Sequence, residues 1–311
     1  MHIAAIHTAS GPRLARLQEG WLVPLHGPTQ IDTATSLRSL FTADLESRAR
    51  IRADDATFLP VVREPRKIFC VGLNYRSHVD ETGREAPTYP VLFPKFASNL
   101  IGHRTPIALP PESNQVDYEA ELAIIIGAPA RRVERDSALD YVLGYTIAND
   151  ITMRDFQYKT RQWMQGKAWD RSTPLGPTLV TPDAIDPSQL DISLRLNGTE
   201  LQSSNTRNLI FDIGRLIEVT SQFTELLPGD VILTGTPGGV GFRRDPQVFL
   251  QAGDEVEVEI EGLGTLRNQV EDERGDGTTL PGETTESDDS WRDRLPGAHD
   301  VQPSLQAATS H

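Results

Sequence analysis

From Lys67 onward, short apolar runs are punctuated by Gly, Pro and Asn: KIFCVGLNY, YPVLFPKF, TPIALP, ELAIIIG, DYVLGYTIAND, GPTLVTPD, DISLRLNG, DVILTGTP and DEVEVEIEGLGTL. Most have strand length and several alternate apolar with polar residues, the period-two pattern of a strand. Helical spacing is confined to ATSLRSL, RSHVDETG, ITMRDFQYKTRQW and LIFDIGRLIEVTSQF. The pattern predicts a mainly β domain with some α, and it lacks the regular strand–helix alternation of a dinucleotide-binding fold.

Residues 1–62 read as a small α+β N-terminal domain: HIAAIH and EGWLVPL are strand-like, and SLRSLFTADLESRARI is helical, with Thr35 or Ser36 as N-cap. The turn-rich REPRK marks the boundary with a catalytic domain over 63–271. The remainder, 272–311, is an acidic tail rich in Thr, Ser, Gly and Pro, with too few apolar residues to offset the entropy of ordering. Disorder is the expectation for it.

Charge narrows the partners. The net charge is −14 and half of it falls on the tail from residue 271, which argues against nucleic acid or an anionic membrane surface. The single cysteine, Cys70, reads as a small buried residue of the IFCVG strand and forbids an internal disulfide. No stretch approaches membrane-spanning length and the start has no long apolar signal region, so a cytoplasmic protein is expected.

The stretch VDYEAELAIIIG carries the first chemistry. Alternation puts Glu119 and Glu121 on one face, where two carboxylates repel unless a cation sits between them. Asp150, at the end of the apolar run Val142 to Ala148, is a candidate third oxygen ligand. Three carboxylates without Cys or His suit Mg²⁺, Mn²⁺ or Ca²⁺ rather than zinc.

Other positions point to a reaction centre. His78 and Glu81 lie one helical turn apart, the spacing of a histidine base oriented by a carboxylate, though a surface pair has the same spacing. Lys95, between apolar residues and a polar turn, suits an anion. If the segment after Asp150 is helical, Asp150, Arg154 and Gln157 share one side, with Arg154 and Gln157 facing an anionic or carbonyl ligand or Arg154 simply pairing with Asp150. Lys167 is a candidate oxyanion donor. In TGTPGGVG, Thr236 and the glycines fit a close backbone approach to a ligand or a tight turn, and the phosphate-loop pattern is absent.

The ordered set NY-x-x-H-x-x-E, P-x-x-F-x-K, D-x-E-x-E-L-x-x-x-I-G, ND-x-T-x-RD-x-Q, GK, LIFD, PGD-x-I-x-TGTP-x-GVG and GD-x-V-E-x-x-I-E-G-x-G-x-L-x-N resembles the fumarylacetoacetate hydrolase family, over residues 67–270. The resemblance implies a mixed β-sandwich roll, a homodimer, and Mg²⁺ or Mn²⁺ held at Glu119, Glu121 and Asp150. It implies a water-activating dyad at His78 and Glu81, with Arg154, Gln157, Lys95, Lys167 and Thr236 lining the substrate site. Trp169 stands where many members have Phe, a departure that bears on the shape of the pocket. The expected activity is C–C bond hydrolysis of a β-diketo acid of the acylpyruvate, fumarylpyruvate or fumarylacetoacetate type, in aromatic-compound catabolism. Isomerisation or decarboxylation of a 2-hydroxymuconate-type or oxaloacetate-like 2-oxo acid is the alternative.

Overall fold

All seven residues of the strand Ala120–Ile126 are buried, because both of its faces are covered. Leu122, Ile124 and Ile126 point into one apolar core and Ala123 and Ile125 into another. The neighbouring strand Val142–Asn149 does the same, with Val142, Tyr145 and Ile147 on the first side and Leu143 and Ala148 on the second. Burial on both faces turns alternation into continuous apolar runs.

This computed structural model describes residues 1–273, apart from Pro28 and Arg84. The expectation for the acidic tail, from 274 on, lies outside the described residues.

The two buried strands are central in a twelve-stranded mixed sheet. On one side the sheet continues through Val231–Leu233, Ile68–Gly72 and Val91–Lys95; on the other it continues through Thr173–Val180 to the N-terminal strands. His2–Thr8 pairs with Thr173–Val180 at His2 with Val180 and Ile3 with Leu179, so the first residues of the chain extend the same sheet. The second sheet has five strands, Thr199–Asn205, Asp191–Leu196, Glu255–Ile260, Gly264–Asp272 and Ile107–Leu109. Here the period-two reading holds: Ile192, Leu194, Val256, Val258 and Ile260 enter the first core while Glu257 and Glu259 stay out of it. The architecture is mainly β with some α, as the pattern predicts, in mixed sheets rather than a barrel.

Three of the four helical expectations match single helices. Leu37–Thr42 is capped by Ser36 and Ser39 in a reciprocal box. The helix expected to run through SLRSLFTADLESRARI stops at an extended Ala43, and its remainder forms a short turn, Ser47–Ala49, and enters the strand Ile51–Arg52. Arg76–Thr82 ends at Gly83, whose φ of 66° is the left-handed value that glycine adopts without a Cβ clash. Ile213–Phe223 starts at Asp212, which accepts the Arg215 N–H, and buries Leu216, Ile217 and Thr220.

The fourth differs. ITMRDFQYKTRQW and the residues after it form a two-residue strand, Thr152–Met153, and two short helices, Arg154–Gln157 and Met164–Lys167. Thr152 and Met153 pair with Asp117 and Val116 in a separate ribbon, and that pairing removes Asp150 from any helix shared with Arg154. The same ribbon divides VDYEAELAIIIG, so Tyr118 and Glu119 form a link between Val116–Asp117 and Ala120–Ile126. Among the described residues no helix is long and apolar enough to cross a membrane.

Two-sided burial has a stability consequence. Ile124→Ala and Ile125→Ala should each cost about 2–5 kcal/mol, since each leaves a cavity in a packed core. Chemical denaturation checks it; a near-neutral Ile125→Ala would show that the second core is loosely packed.

Candidate active site and metal centre

Glu121 lies on Ala120–Ile126, Glu119 just before it, and Asp150 just after Val142–Asn149. The antiparallel pairing of those strands sets Ala120 opposite Asn149 and so brings the three carboxylates to one end of the sheet. One oxygen from each lies within 4.8 Å of the others, and all three side chains are buried. The link is held by the Glu119 N–H, which donates to Asn149 Oδ1 at 3.0 Å, and by the Asp150 N–H, which donates to the Glu119 carbonyl at 2.9 Å.

Three buried cations face this cluster. Lys167 Nζ bridges Glu119 Oε2 at 2.7 Å and Asp150 Oδ2 at 2.8 Å. Arg154 Nη1 lies 2.8 Å from Glu119 Oε1 and 3.0 Å from Gln157 Oε1, and Nε donates to Asp117 Oδ2 at 2.8 Å. Lys95 Nζ lies 2.7 Å from Asp150 Oδ1, an ion contact without hydrogen-bond alignment, and donates to Thr173 Oγ1 at 2.7 Å.

Glu121 is the exception. Among the described residues no lysine, arginine or histidine pairs with it; it accepts the Gly235 N–H at 2.6 Å. Burial pushes its carboxyl well above the ordinary glutamate value, and Asp150 and Glu119 add repulsion. Glu119 behaves oppositely: burial opposes its ionisation, but the Lys167 ammonium and Arg154 guanidinium outweigh burial and hold the carboxyl down at about 2. For Lys167, burial disfavours the charge and the carboxylates of Asp150 and Glu119 more than restore it, so the ammonium persists above the usual lysine range.

The donor set fits a hard dication. Four buried carboxyl groups, Asp117, Glu119, Glu121 and Asp150, face three buried cationic side chains, and the uncompensated one belongs to the trio. Oxygen ligands alone, without thiolate or imidazole, suit Mg²⁺, Mn²⁺ or Ca²⁺.

The cluster opens on a cavity of about 30 Å³, walled by His78, Glu119, Arg154, Gln157, Lys167 and Thr236, with Phe93 and Trp163 as its apolar side. His78 Nδ1 lies 2.7 Å from Glu81 Oε1, while Glu81 Oε2 accepts the Gly239 N–H at 2.7 Å. The carboxylate is therefore fixed at both oxygens, and His78 keeps Nε2 for proton transfer. Arg154 Nη2 is buried without a hydrogen-bond partner. Thr236 Oγ1 accepts from Gln202 Nε2 at 2.9 Å. At Gly235, with φ of 99°, a Cβ would come 2.8 Å from Asn74 Cβ, so only glycine brings this loop against Glu121.

The structure thus gathers nine of the ten residues expected from the sequence around one cavity: six at its wall, with Glu81 behind His78 and with Glu121 and Asp150 beside Glu119 in the trio. Lys95 stands behind Asp150 rather than at the cavity wall. Arg154 pairs with Asp117 and Glu119, not with Asp150, because Asp150 lies outside its helix. Trp169 packs edge-on against Phe156 at 4.9 Å and lines a separate groove, leaving the cavity wall untouched. Sequence reasoning missed Asp117, Asn149 and Gln202, polar residues whose partners are far along the chain; only Asp117, in step with Glu119 and Glu121, carried a signal.

Residues 67–271 match the family model described as the C-terminal domain of fumarylacetoacetate (FAA) hydrolase. The mitochondrial oxaloacetate tautomerase Fahd2a of Rattus norvegicus is 47% identical over 222 residues, 71% of each chain. A 5-carboxymethyl-2-hydroxymuconate delta-isomerase from Mycobacterium smegmatis superposes with a TM-score of 0.75 at 36% identity, covering 88% of this chain and 100% of that one. A fumarylacetoacetate hydrolase from the psychrophile Exiguobacterium antarcticum gives 0.76 at 35% identity, over 88% and 99%.

Glu121→Gln separates the roles of charge and size. Mn²⁺ affinity measured by titration calorimetry should fall at least about tenfold; an unchanged affinity would remove Glu121 from the ligand set. In metal-free protein the raised pKa means that the folded state holds this proton more tightly than the unfolded chain. Its contribution to stability is then full below the ordinary glutamate value of 4.5 and is lost as pH rises through the folded pKa. Glu121→Gln should flatten that decline.

Proposed function

The chain belongs to the fumarylacetoacetate hydrolase family, and on that premise we propose that it is a divalent-metal-dependent tautomerase or isomerase of a compact 2-oxo dicarboxylic acid such as oxaloacetate. The observation that carries the reading is the buried, unpartnered Nη2 of Arg154, a residue that lines the same tight cavity as His78 and Glu119 of the carboxylate trio. A guanidinium edge suits one substrate carboxylate. The reaction class is supported by the tautomerase and isomerase relatives, and it displaces the C–C hydrolysis expected from the sequence.

Glu119, Glu121 and Asp150 would hold Mg²⁺ or Mn²⁺, which supplies Lewis-acid polarisation of a 2-oxo group and offsets enolate charge. Arg154 and Gln157 bind and orient the distal carboxylate. His78, steadied by Glu81, takes the proton from the carbon next to the 2-oxo group and returns it at the oxygen, or runs the sequence in reverse. Lys167 and Thr236 donate hydrogen bonds where negative charge develops on that oxygen. Phe93 and Trp163 limit water at the reacting carbon. Lys95 keeps Asp150 in place from behind.

Hydrolysis of an acylpyruvate is the second reading, favoured by the His78–Glu81 pair, which could equally activate water. A homodimer and a cytoplasmic setting remain part of the proposal, as does a role in aromatic-compound catabolism; the rat relative is named as mitochondrial.

The test follows enol loss from oxaloacetate by ultraviolet absorbance with Mg²⁺ or Mn²⁺, with products identified by mass spectrometry in ¹⁸O-labelled water. We expect the keto acid intact and no labelled cleavage product, and His78→Ala should lower turnover about 10²–10⁴-fold at unchanged Mn²⁺ affinity. Labelled carboxylic acid from an acylpyruvate, with no catalysed tautomerisation, would overturn the tautomerase reading in favour of hydrolysis.

A further inference from the structure

We propose that Asp117 is the positioning residue that fixes Arg154 as the carboxylate receptor of the site. The proposal rests on the tautomerase reading only for its choice of substrate. Asp117 is fully buried and saturated with donors: Oδ1 accepts the Tyr118 and Gly241 N–H groups, each at 2.8 Å, and Oδ2 accepts the Phe242 N–H at 3.1 Å and Arg154 Nε at 2.8 Å. Three backbone donors make the carboxylate a fixed point rather than a mobile counterion.

The ribbon sets the pair in register. Asp117 pairs with Thr152, Val116 with Met153, and the Arg154 N–H donates to the Gln115 carbonyl at 2.9 Å. The guanidinium is then constrained on every side but one. Nε faces Asp117, Nη1 faces Glu119 and Gln157, and the Phe242 ring lies 4.3 Å from the guanidinium carbon. Nη2 is what is left, buried and unpartnered in the residue that lines the cavity. Without the Asp117 anchor the fork can turn about its last torsion, and Nη2 is no longer held toward the ligand.

Asp117 touches neither substrate nor the carboxylate trio, so its effect must pass through Arg154. Receptor alignment is binding common to ground and transition states, which raises KM and spares kcat when lost. The experiment compares wild type, Asp117→Asn, Arg154→Gln and the double variant, all loaded with Mn²⁺. KM and kcat are read for oxaloacetate, and the dissociation constant of malonate is read by calorimetry. Asp117→Asn should raise KM and the malonate constant about tenfold or more while kcat stays within about threefold, and should add less than about twofold once Arg154 is Gln.

An equal penalty in the Arg154→Gln background, or a lowered melting temperature with the malonate constant unchanged, would overturn the proposal and leave Asp117 as an anchor for the 241–242 loop alone. If Asp117→Asn does not fold, Asp117→Glu keeps the charge and moves the carboxylate by one methylene out of register with Arg154 Nε. It should weaken malonate binding in the wild-type background and leave it unchanged when Arg154 is Gln; the reverse overturns the idea. Absence of oxaloacetate turnover by the wild type would sink the tautomerase reading instead, while malonate binding still decides the role of Asp117.

Discussion

Keeping negative charge away from water at the end of two buried strands is the constraint on which this structure depends. An uncompensated buried carboxylate costs several kcal/mol even after relaxation, a large fraction of a protein's net stability. Lys95, Lys167 and Arg154 answer for Asp117, Glu119 and Asp150. Glu121 is left to a single backbone donor and its own raised pKa. A dication would meet that deficit, and the charge that completed the electrostatics would be the one to polarise a 2-oxo group.

The fold makes this arrangement rigid. Ala120–Ile126 and Val142–Asn149 are buried on both faces, so their ends cannot relax toward solvent. The loop from Thr234 to Phe242 then closes over them with backbone donors: Gly235 to Glu121, Gly238 to Ser77, Gly239 to Glu81, and Gly241 and Phe242 to Asp117. One glycine-rich segment thereby holds a carboxylate of the trio, the His78 helix and Asp117. Such fixed dipoles need no reorganisation during a reaction.

How much of this was legible depended on the range of the interaction. Glu119 and Glu121 were visible because period two is local, and His78 with Glu81 because one helical turn is local. Asp150 could be proposed as a third ligand from its place at the end of an apolar run, but its alignment with Glu119 depends on the Ala120–Asn149 register. The pairing of Arg154 with Asp117 was hidden for a different reason. Helical spacing after Asp150 competed with a two-residue ribbon whose other half lies upstream, and the ribbon prevailed. Lys95 and Lys167 look alike in sequence; only the fold places one behind Asp150 and the other at the cavity. The mainly β character followed from run length and alternation, whereas the joining of the first strand to Thr173–Val180 had no local signal.

A dication held by Glu119, Glu121 and Asp150 would complete the buried charge of the cavity. Anomalous diffraction from crystals grown with Mn²⁺ tests it most directly. One strong peak bonded to an oxygen of each of the three carboxylates is the expected result. A peak elsewhere, or none with Glu121 still held by Gly235 alone at saturating Mn²⁺, would contradict it.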